Sequence, residues 1–512
     1  MNRRKPISIK VLLATIIFLA ALIAFYYAKL LSIFPTGPDN MIQLATSRFS
    51  SFPELLHMIS RPQMGHDINF GGGIFYRPMA NLIYGLEYAI WGFDPVKFHI
   101  FDIAAHFLVV MLLFWLVLKM FSSYAMAIVA ALIFSIHPAV LRSLTEPIAA
   151  GDIPASFFFL LTFITFLYYR QLRSKLLLYL SLVFYVFALF SIETVYALWL
   201  LMPALLFLNQ AGALRDRAVY AIRQTWQYPL VAAIPFAIRT KVLNGIGGYY
   251  HHHSGIHDAW VNTISFLHDT IALNPSISIR HYTLQSDTLL IIAVIGLITC
   301  AFLLRRKAFE FFKYSDRGKA MAFFLIWIVI IWAVIVATRT FSAYNMYLPA
   351  IPASIMLSFV LAEGLKKIVP GNTLILNLQE RWTCRLAVAC VGVLIFILAI
   401  QSENARNFLV DNRLARSLYA KIQIAIQSNS GASRLEVVNY PETVTDYYGS
   451  GAIEHDLETK NLDYWLDASV PGRRIRVDIK SYVTYNREPV SLKFRDLEEG
   501  KKNYFIISPV FK

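Results

Sequence analysis

Charge is scarce in this chain. Only 15% of its 512 residues are Asp, Glu, Lys or Arg, where soluble globular chains carry about 25%, and this excludes an ordinary soluble enzyme. Cysteine is scarcer still. Cys300, Cys384 and Cys390 stand in apolar surroundings and make no disulfide framework, so they leave the redox compartment open. There is no Walker A loop, no dinucleotide glycine fingerprint and no HExxH helix, and ATP-driven transport and zinc proteolysis lose their usual signals. Repeats of about 20–50 residues are missing as well. What the chain has in quantity is apolar length: 57% of its residues are hydrophobic and its mean hydropathy is +0.53.

A hydrocarbon core about 30 Å thick takes about 20 apolar helical residues to cross. Such runs fall at about 9–33, 99–118, 124–140, 153–169, 176–191, 194–208, 226–242, 287–304, 320–338, 343–362 and 386–402. The first follows Arg3, Arg4 and Lys5 and exceeds the stretch of about 7–15 apolar residues in a signal peptide. It reads as a retained signal-anchor with a cytoplasmic N-terminus. Eleven spans then place everything after residue 402 outside. Basic residues support this alternation: the segments assigned to the cytoplasm hold 21 bases against five acids, or +16, whereas the outside segments up to residue 402 sum to −2 and residues 403–512 to +1. The formal +15 of the whole chain is therefore a topology signal and points to no nucleic-acid partner.

The expected fold is an all-α polytopic membrane protein with a small extracytoplasmic C-terminal domain that is α+β or β-rich. Residues 1–402 form the membrane module and 403–512 the soluble domain. Within the latter, 403–425 reads as an amphipathic helix, and RIRVDIKSYV and EPVSLKFRDL alternate as strands do. The stretch 77–93 has the periodicity of a helix lying in the membrane interface.

Acids gather at outer ends of spans or in outside loops: Asp39, Asp67, Glu146, Asp152 and Glu193. A transporter more often keeps such groups near the midplane, so this pattern favours a reaction at the outer face. His99, Asp102 and His106 are spaced i, i+3, i+7 on one helical face. Two readings stay open: a packing stripe satisfied by neighbouring helices, or the lining of a cavity for an anionic head group or acceptor hydroxyl. The segment IHPAVLRSLTEPIAAGDIPA, with His137, Glu146 and Asp152, is either a turn or a boundary site for general acid–base chemistry. The run His251-His252-His253 reads as a loop, since consecutive histidines do not fix metal geometry.

The string YRPMANLIYGLEYAIWGFDPVKFHIFDIAAH (Tyr76 to His106) resembles the passage from the first outside loop into the second span of the tetratricopeptide-bearing protein O-mannosyltransferases and their bacterial relatives, in the GT-C superfamily. The resemblance continues through FSIHPAVLRSLTEPIAAGD, SIETVYALWLLMPALL and YNMYLPAI. It implies a GT-C-like membrane glycosyltransferase in the plasma (inner) membrane, with its site on the extracytoplasmic side. Such an enzyme takes a polyprenyl-phosphate sugar donor and a lipid, glycan or protein acceptor, usually with inversion. It also implies that Asp39, in FPTGPDN, is the catalytic acid of the first loop. The same residue also fits turn chemistry, through Gly37-Pro38-Asp39-Asn40. Arg77 and Arg339 are the candidate donor-phosphate ligands. The resemblance places His106, His137, Glu146 and Glu193 around the cavity, and Asp152, near the start of the next span, is a further candidate for it. No cofactor is required by these motifs; a divalent metal stays open, although Asn40 replaces the second acid of the first loop. Residues 403–512 stand where the family carries tetratricopeptide repeats. Two rival readings remain: a ligase or polymerase using polyprenyl-diphosphate glycans, and a non-enzymatic transporter or flippase of lipid-linked sugars.

Overall fold

The computed structural model describes residues 8–32, 43, 46–63, 65, 75–145, 151–247, 263, 266, 315–338 and 346–368, and eight strands between 434 and 507. Helix α1 (Ile9–Tyr27) is the first apolar run. Helix α2 (Phe52–Ile59) begins where Ser51 caps the amide of Glu54 and the Glu54 carboxylate reaches back to the Ser50 amide at 2.6 Å. Helix α3 (Pro78–Trp91) starts on a proline and stops at Gly92, whose φ of 65° only glycine adopts readily. Helix α4 (Pro95–Phe121) is launched by Asp94, which accepts from the amides of Val96 and Lys97, with Pro95 in the first turn.

The next run breaks earlier than its hydropathy predicts. Helix α5 (Tyr124–Ser135) ends before His137-Pro138, because a proline disfavours helical geometry in the residue preceding it. A short helix α6 (Leu141–Thr145) follows, then α7 (Asp152–Leu172) and α8 (Lys175–Leu189). The run 194–208 is divided into a 3-10 segment, Glu193–Leu200, and helix α9 (Leu201–Asn209). Helices α10 (Leu214–Thr225), α11 (Gln227–Val242), α12 (Asp316–Thr338) and α13 (Tyr347–Ile368) complete the bundle. Among the described residues four helices, α1, α4, α7 and the Asp316–Ile335 part of α12, are long and apolar enough to cross a membrane, and four shorter apolar segments accompany them. The runs 287–304 and 386–402, helix 403–425 and the domain boundary at 402 lie outside the described residues.

Helices α4 and α5 form a hairpin, α7 and α8 another, and α13 closes against α5 and α12. Their common core is aromatic. Trp327 of α12 is fully buried against Phe159 of α7, and Phe163 stacks on Phe323 with centroids 5.1 Å apart. The hydroxyl of Ser181 bonds the carbonyl of Thr162 and meets Tyr228 at 2.6 Å, joining α8, α7 and α11. Large apolar side chains such as Ile17, Phe25, Leu108, Leu176, Leu230 and Val329 point outward. An apolar exterior over an apolar core is what a lipid solvent requires.

Between residues 434 and 507, β1 (Arg434–Val438) pairs parallel with β5 (Arg476–Ile479) and antiparallel with β7 (Val490–Arg495). Strand β8 (Lys502–Ile507) pairs antiparallel with β7, giving the order β5-β1-β7-β8. Two smaller ladders join β2 (Tyr440–Pro441) to β6 (Tyr482–Val483) and β3 (Thr443–Asp446) to β4 (Ile453–Asp456). The alternating stretches RIRVDIKSYV and EPVSLKFRDL supply β5 and β7.

Candidate functional site

Three charged side chains from separate parts of the chain meet at one end of the bundle. Arg77, just before α3, donates from Nη2 and Nε to Glu193 Oε2 at 2.8 and 3.0 Å. Arg239, in the last turn of α11, donates from Nη1 to Glu193 Oε1 at 2.6 Å and from Nε to the Ile246 carbonyl at 3.0 Å. Glu193 thus gives one oxygen mainly to each arginine. Arg77 and Arg239 are 11% and 6% exposed and Glu193 22%, so the pairs are largely shielded from water and lose little to screening. Glu193 stands just ahead of the run 194–208. Burial alone would raise its pKa, but the charges and hydrogen bonds of Arg77 and Arg239 more than reverse this and hold the carboxyl at about 2.

Backbone contacts fix the cluster. The Met79 amide donates to the Phe190 carbonyl at 3.1 Å, which ties α3 to the end of α8. Gly151 allows the approach: a Cβ there would sit 2.8 Å from the Ser191 carbonyl oxygen, closer than such contacts tolerate. Asp152, next in the chain, is 2% exposed and its Oδ1 has no hydrogen-bond partner among the described residues. It lies within electrostatic reach of both Arg77 and Glu193.

A second acidic group joins α3 and α4, where Glu87 and Asp102 lie within electrostatic reach of each other. Glu87 is buried, and neither of its carboxylate oxygens has a hydrogen-bond partner among the described residues. Burial, and then the charge of Asp102, push its carboxyl well above the usual range. The Tyr84 hydroxyl, one turn earlier, is also buried without a hydrogen-bond partner among the described residues, and its pKa is raised by burial, Asp102 and Glu87 in that order. A raised acid holds its proton in the folded state, so stability is full below about pH 4.5 and drains away as pH rises toward the folded pKa. Each unit of elevation costs about 1.4 kcal/mol once the group is ionised. Glu87→Gln removes that cost. Thermal unfolding in detergent should therefore show the variant about as stable as the parent near pH 4.5 and at least about 1.4 kcal/mol more stable at pH 8. Equal pH profiles would show that Glu87 carries no raised proton.

The histidines are committed within the protein. His106 Nδ1 meets the Tyr347 hydroxyl at 2.7 Å and Nε2 meets the Ser135 carbonyl at 3.3 Å. A carbonyl only accepts, so Nε2 carries the proton and Nδ1 accepts from Tyr347. His99 Nδ1 contacts the Leu144 carbonyl at 2.9 Å, and His137 Nδ1 accepts from the Ala139 amide at 3.2 Å within its own turn. The His99–Asp102–His106 stripe faces neighbouring helices and is buried along its length.

Of the residues expected from the sequence, the structure brings together Arg77, Asp152 and Glu193 and sets His106 and His137 in the adjoining core. Asp39, Glu146, Arg339 and the His251-His252-His253 run lie outside the described residues. Sequence reasoning passed over Arg239, Glu87 and Tyr347. Arg239 carried a signal, a base at the outer end of an apolar run. So did Glu87, the lone acid of 77–93, spaced i, i+3, i+7 with Tyr84 and Trp91. Among the described residues no group of three or more His, Cys, Asp or Glu side chains is placed to hold a metal.

No known family profile matches the chain. Individual proteins do. Protein O-mannosyl-transferase TMTC3 of Homo sapiens is 29% identical over 91 residues, 18% of this chain and 10% of that protein. Protein O-mannosyl-transferase tmtc2 of Xenopus laevis is 28% identical over 99 residues, 19% of this chain and 12% of its own length. Protein O-mannosyl-transferase TMTC1 of Homo sapiens reaches 32% over 92 residues, again 18% of this chain and 10% of that protein. The chain thus covers only about a tenth of the length of these relatives.

Proposed function

We propose that this membrane protein is a glycosyltransferase that moves a sugar from a polyprenyl-phosphate donor to an acceptor hydroxyl at the extracytoplasmic face, with inversion. One observation carries the reading: Glu193 grips two arginines from distant segments at one end of an apolar bundle. Arg239 spends one N–H at Nε and one at Nη1, so three of the five donors of a guanidinium remain uncommitted among the described residues. A shielded cationic pair of this kind suits the phosphate of a lipid carrier, whose anionic group lies at the membrane boundary. The names of the matching proteins support sugar transfer as the reaction class.

In the proposed reaction Asp39 takes the proton of the acceptor hydroxyl. The oxygen attacks the anomeric carbon from the face opposite the phosphate, a new C–O bond forms, and the bond from the anomeric carbon to the phosphate oxygen breaks. The electron pair leaves with the polyprenyl phosphate, whose charge is met by Arg77 and Arg239, with Arg339 a further candidate from the connection before α13. Glu193 and Asp152 orient the arginines. Protein acceptors come first to mind from the names of the relatives, with lipid or glycan hydroxyls as the other classes.

The test is a transfer assay with the purified full chain in lipid, a panel of labelled polyprenyl-phosphate sugars and hydroxyl-bearing peptide, lipid and glycan acceptors. Label should pass from a monophosphate-linked monosaccharide into a new glycosidic bond. Transfer only from a diphosphate-linked oligosaccharide would replace this reading by that of a ligase or polymerase. Translocation of the lipid-linked sugar without any new glycosidic bond would replace it by a transporter.

A further inference from the structure

Helix α10 has one face held by the protein and one face open to the outside. Its inner face is bolted down. Arg217 donates from Nε and Nη2 to the Phe207 carbonyl at 3.0 and 2.6 Å and lies 4.2 Å over the Phe207 ring. Arg170, near the end of α7, donates to the Tyr220 hydroxyl at 2.6 Å and to Gln224 at 2.9 Å, while Ala221 and Thr225 are buried. The outer face is apolar and basic together: Val219, Ile222 and, just past the helix, Trp226 are 40%, 60% and 53% exposed. Arg215 and Arg223 are exposed on the same side and form no ion pair among the described residues.

Helix α7 shows where this face lies. Asp152 begins it, beside the Arg77–Glu193–Arg239 network, and Arg170 ends it against α10. Its 21 residues span about 30 Å at about 1.5 Å each, the thickness of a bilayer core. The outer face of α10 therefore stands one membrane thickness from the network, level with the opposite head groups. An apolar strip with a tryptophan at its end and arginines beside it is the chemistry of a helix lying in an anionic interface.

We infer that α10 docks on an anionic phospholipid surface. Val219, Ile222 and Trp226 enter the acyl–head-group boundary, and Arg215 and Arg223 bind lipid phosphates. The inference depends on the membrane character of the bundle and is independent of the proposed sugar transfer.

Trp226 is its own reporter. The full chain is reconstituted in nanodiscs of phosphatidylcholine mixed with phosphatidylglycerol, one or the other carrying brominated acyl chains. The Trp226 signal is taken as the difference between the parent and Trp226→Phe. Brominated phosphatidylglycerol should quench that signal more than brominated phosphatidylcholine, because each arginine near the surface enriches anionic lipid about fivefold. In Arg215→Gln/Arg223→Gln the preference should vanish while quenching persists. In Arg215→Lys/Arg223→Lys the preference should remain, which separates charge from disturbed folding. No quenching by either lipid would mean that a second copy or a protein partner covers the face, and would overturn the inference. So would equal quenching in the parent, or a preference that the Gln variant retains.

Discussion

Glu193→Gln is expected to destabilise the protein by about 3–5 kcal/mol, the usual consequence of removing one partner from a buried charge pair. The substitution keeps the shape of the side chain but removes the charge that Arg77 and Arg239, both largely shielded, share. Thermal unfolding in detergent measures it. Two further readings identify the cause. Because the Glu193 carboxyl is depressed in the folded state, its contribution is complete above the unfolded pKa of about 4.5 and is lost as pH falls. The gap between parent and variant should therefore narrow under acid conditions. A double-mutant cycle with Arg239→Gln should also return a coupling of about 0.5–3 kcal/mol. A loss below about 0.5 kcal/mol, typical of a surface change, would show that the network does not hold this end of the bundle.

Asp39→Asn is expected to lower transfer by about 10²–10⁴-fold, the range that general acid–base catalysis contributes, with donor binding unchanged. The choice of Asn is deliberate. Asp39 sits in Gly37-Pro38-Asp39-Asn40, where a turn role is the competing explanation. Asn serves turns as well as Asp does, yet it cannot take a proton from a hydroxyl. A variant with full activity would leave Asp39 as a turn residue only; a variant that binds lipid-linked donor and fails to transfer would assign the base. Donor binding and single-turnover transfer, measured side by side, separate the two.

Apolar runs and breakers were legible in the sequence, and pairings were not. Pro95–Phe121 and Asp152–Leu172 stood out by continuous hydropathy, Pro78–Trp91 by periodicity and β5 and β7 by alternation. The shortening of α5 was written in His137-Pro138, yet an averaged hydropathy window runs straight over a proline. The same averaging hid Arg239, one base among the apolar residues of its run. Glu87 carried its signal as a lone acid, but its burial could not be read from 77–93 alone, because Asp102, the charge it lies near, belongs to the following helix α4. The His99–Asp102–His106 spacing did identify a shared face. It did not reveal that Tyr347 occupies one nitrogen of His106, since that partner lies 241 residues away.

That separation also sets an order of assembly. A chain emerging from the ribosome at about 5–20 residues per second presents His106 about 12–50 s before Tyr347, and Glu193 before Arg239, 46 residues later. During the interval Glu193 has Arg77, made 116 residues earlier, as its only counter-charge of the two. The nascent bundle therefore holds a one-to-one Arg77–Glu193 pair at first, and the cluster acquires its second cation only when α11 delivers Arg239.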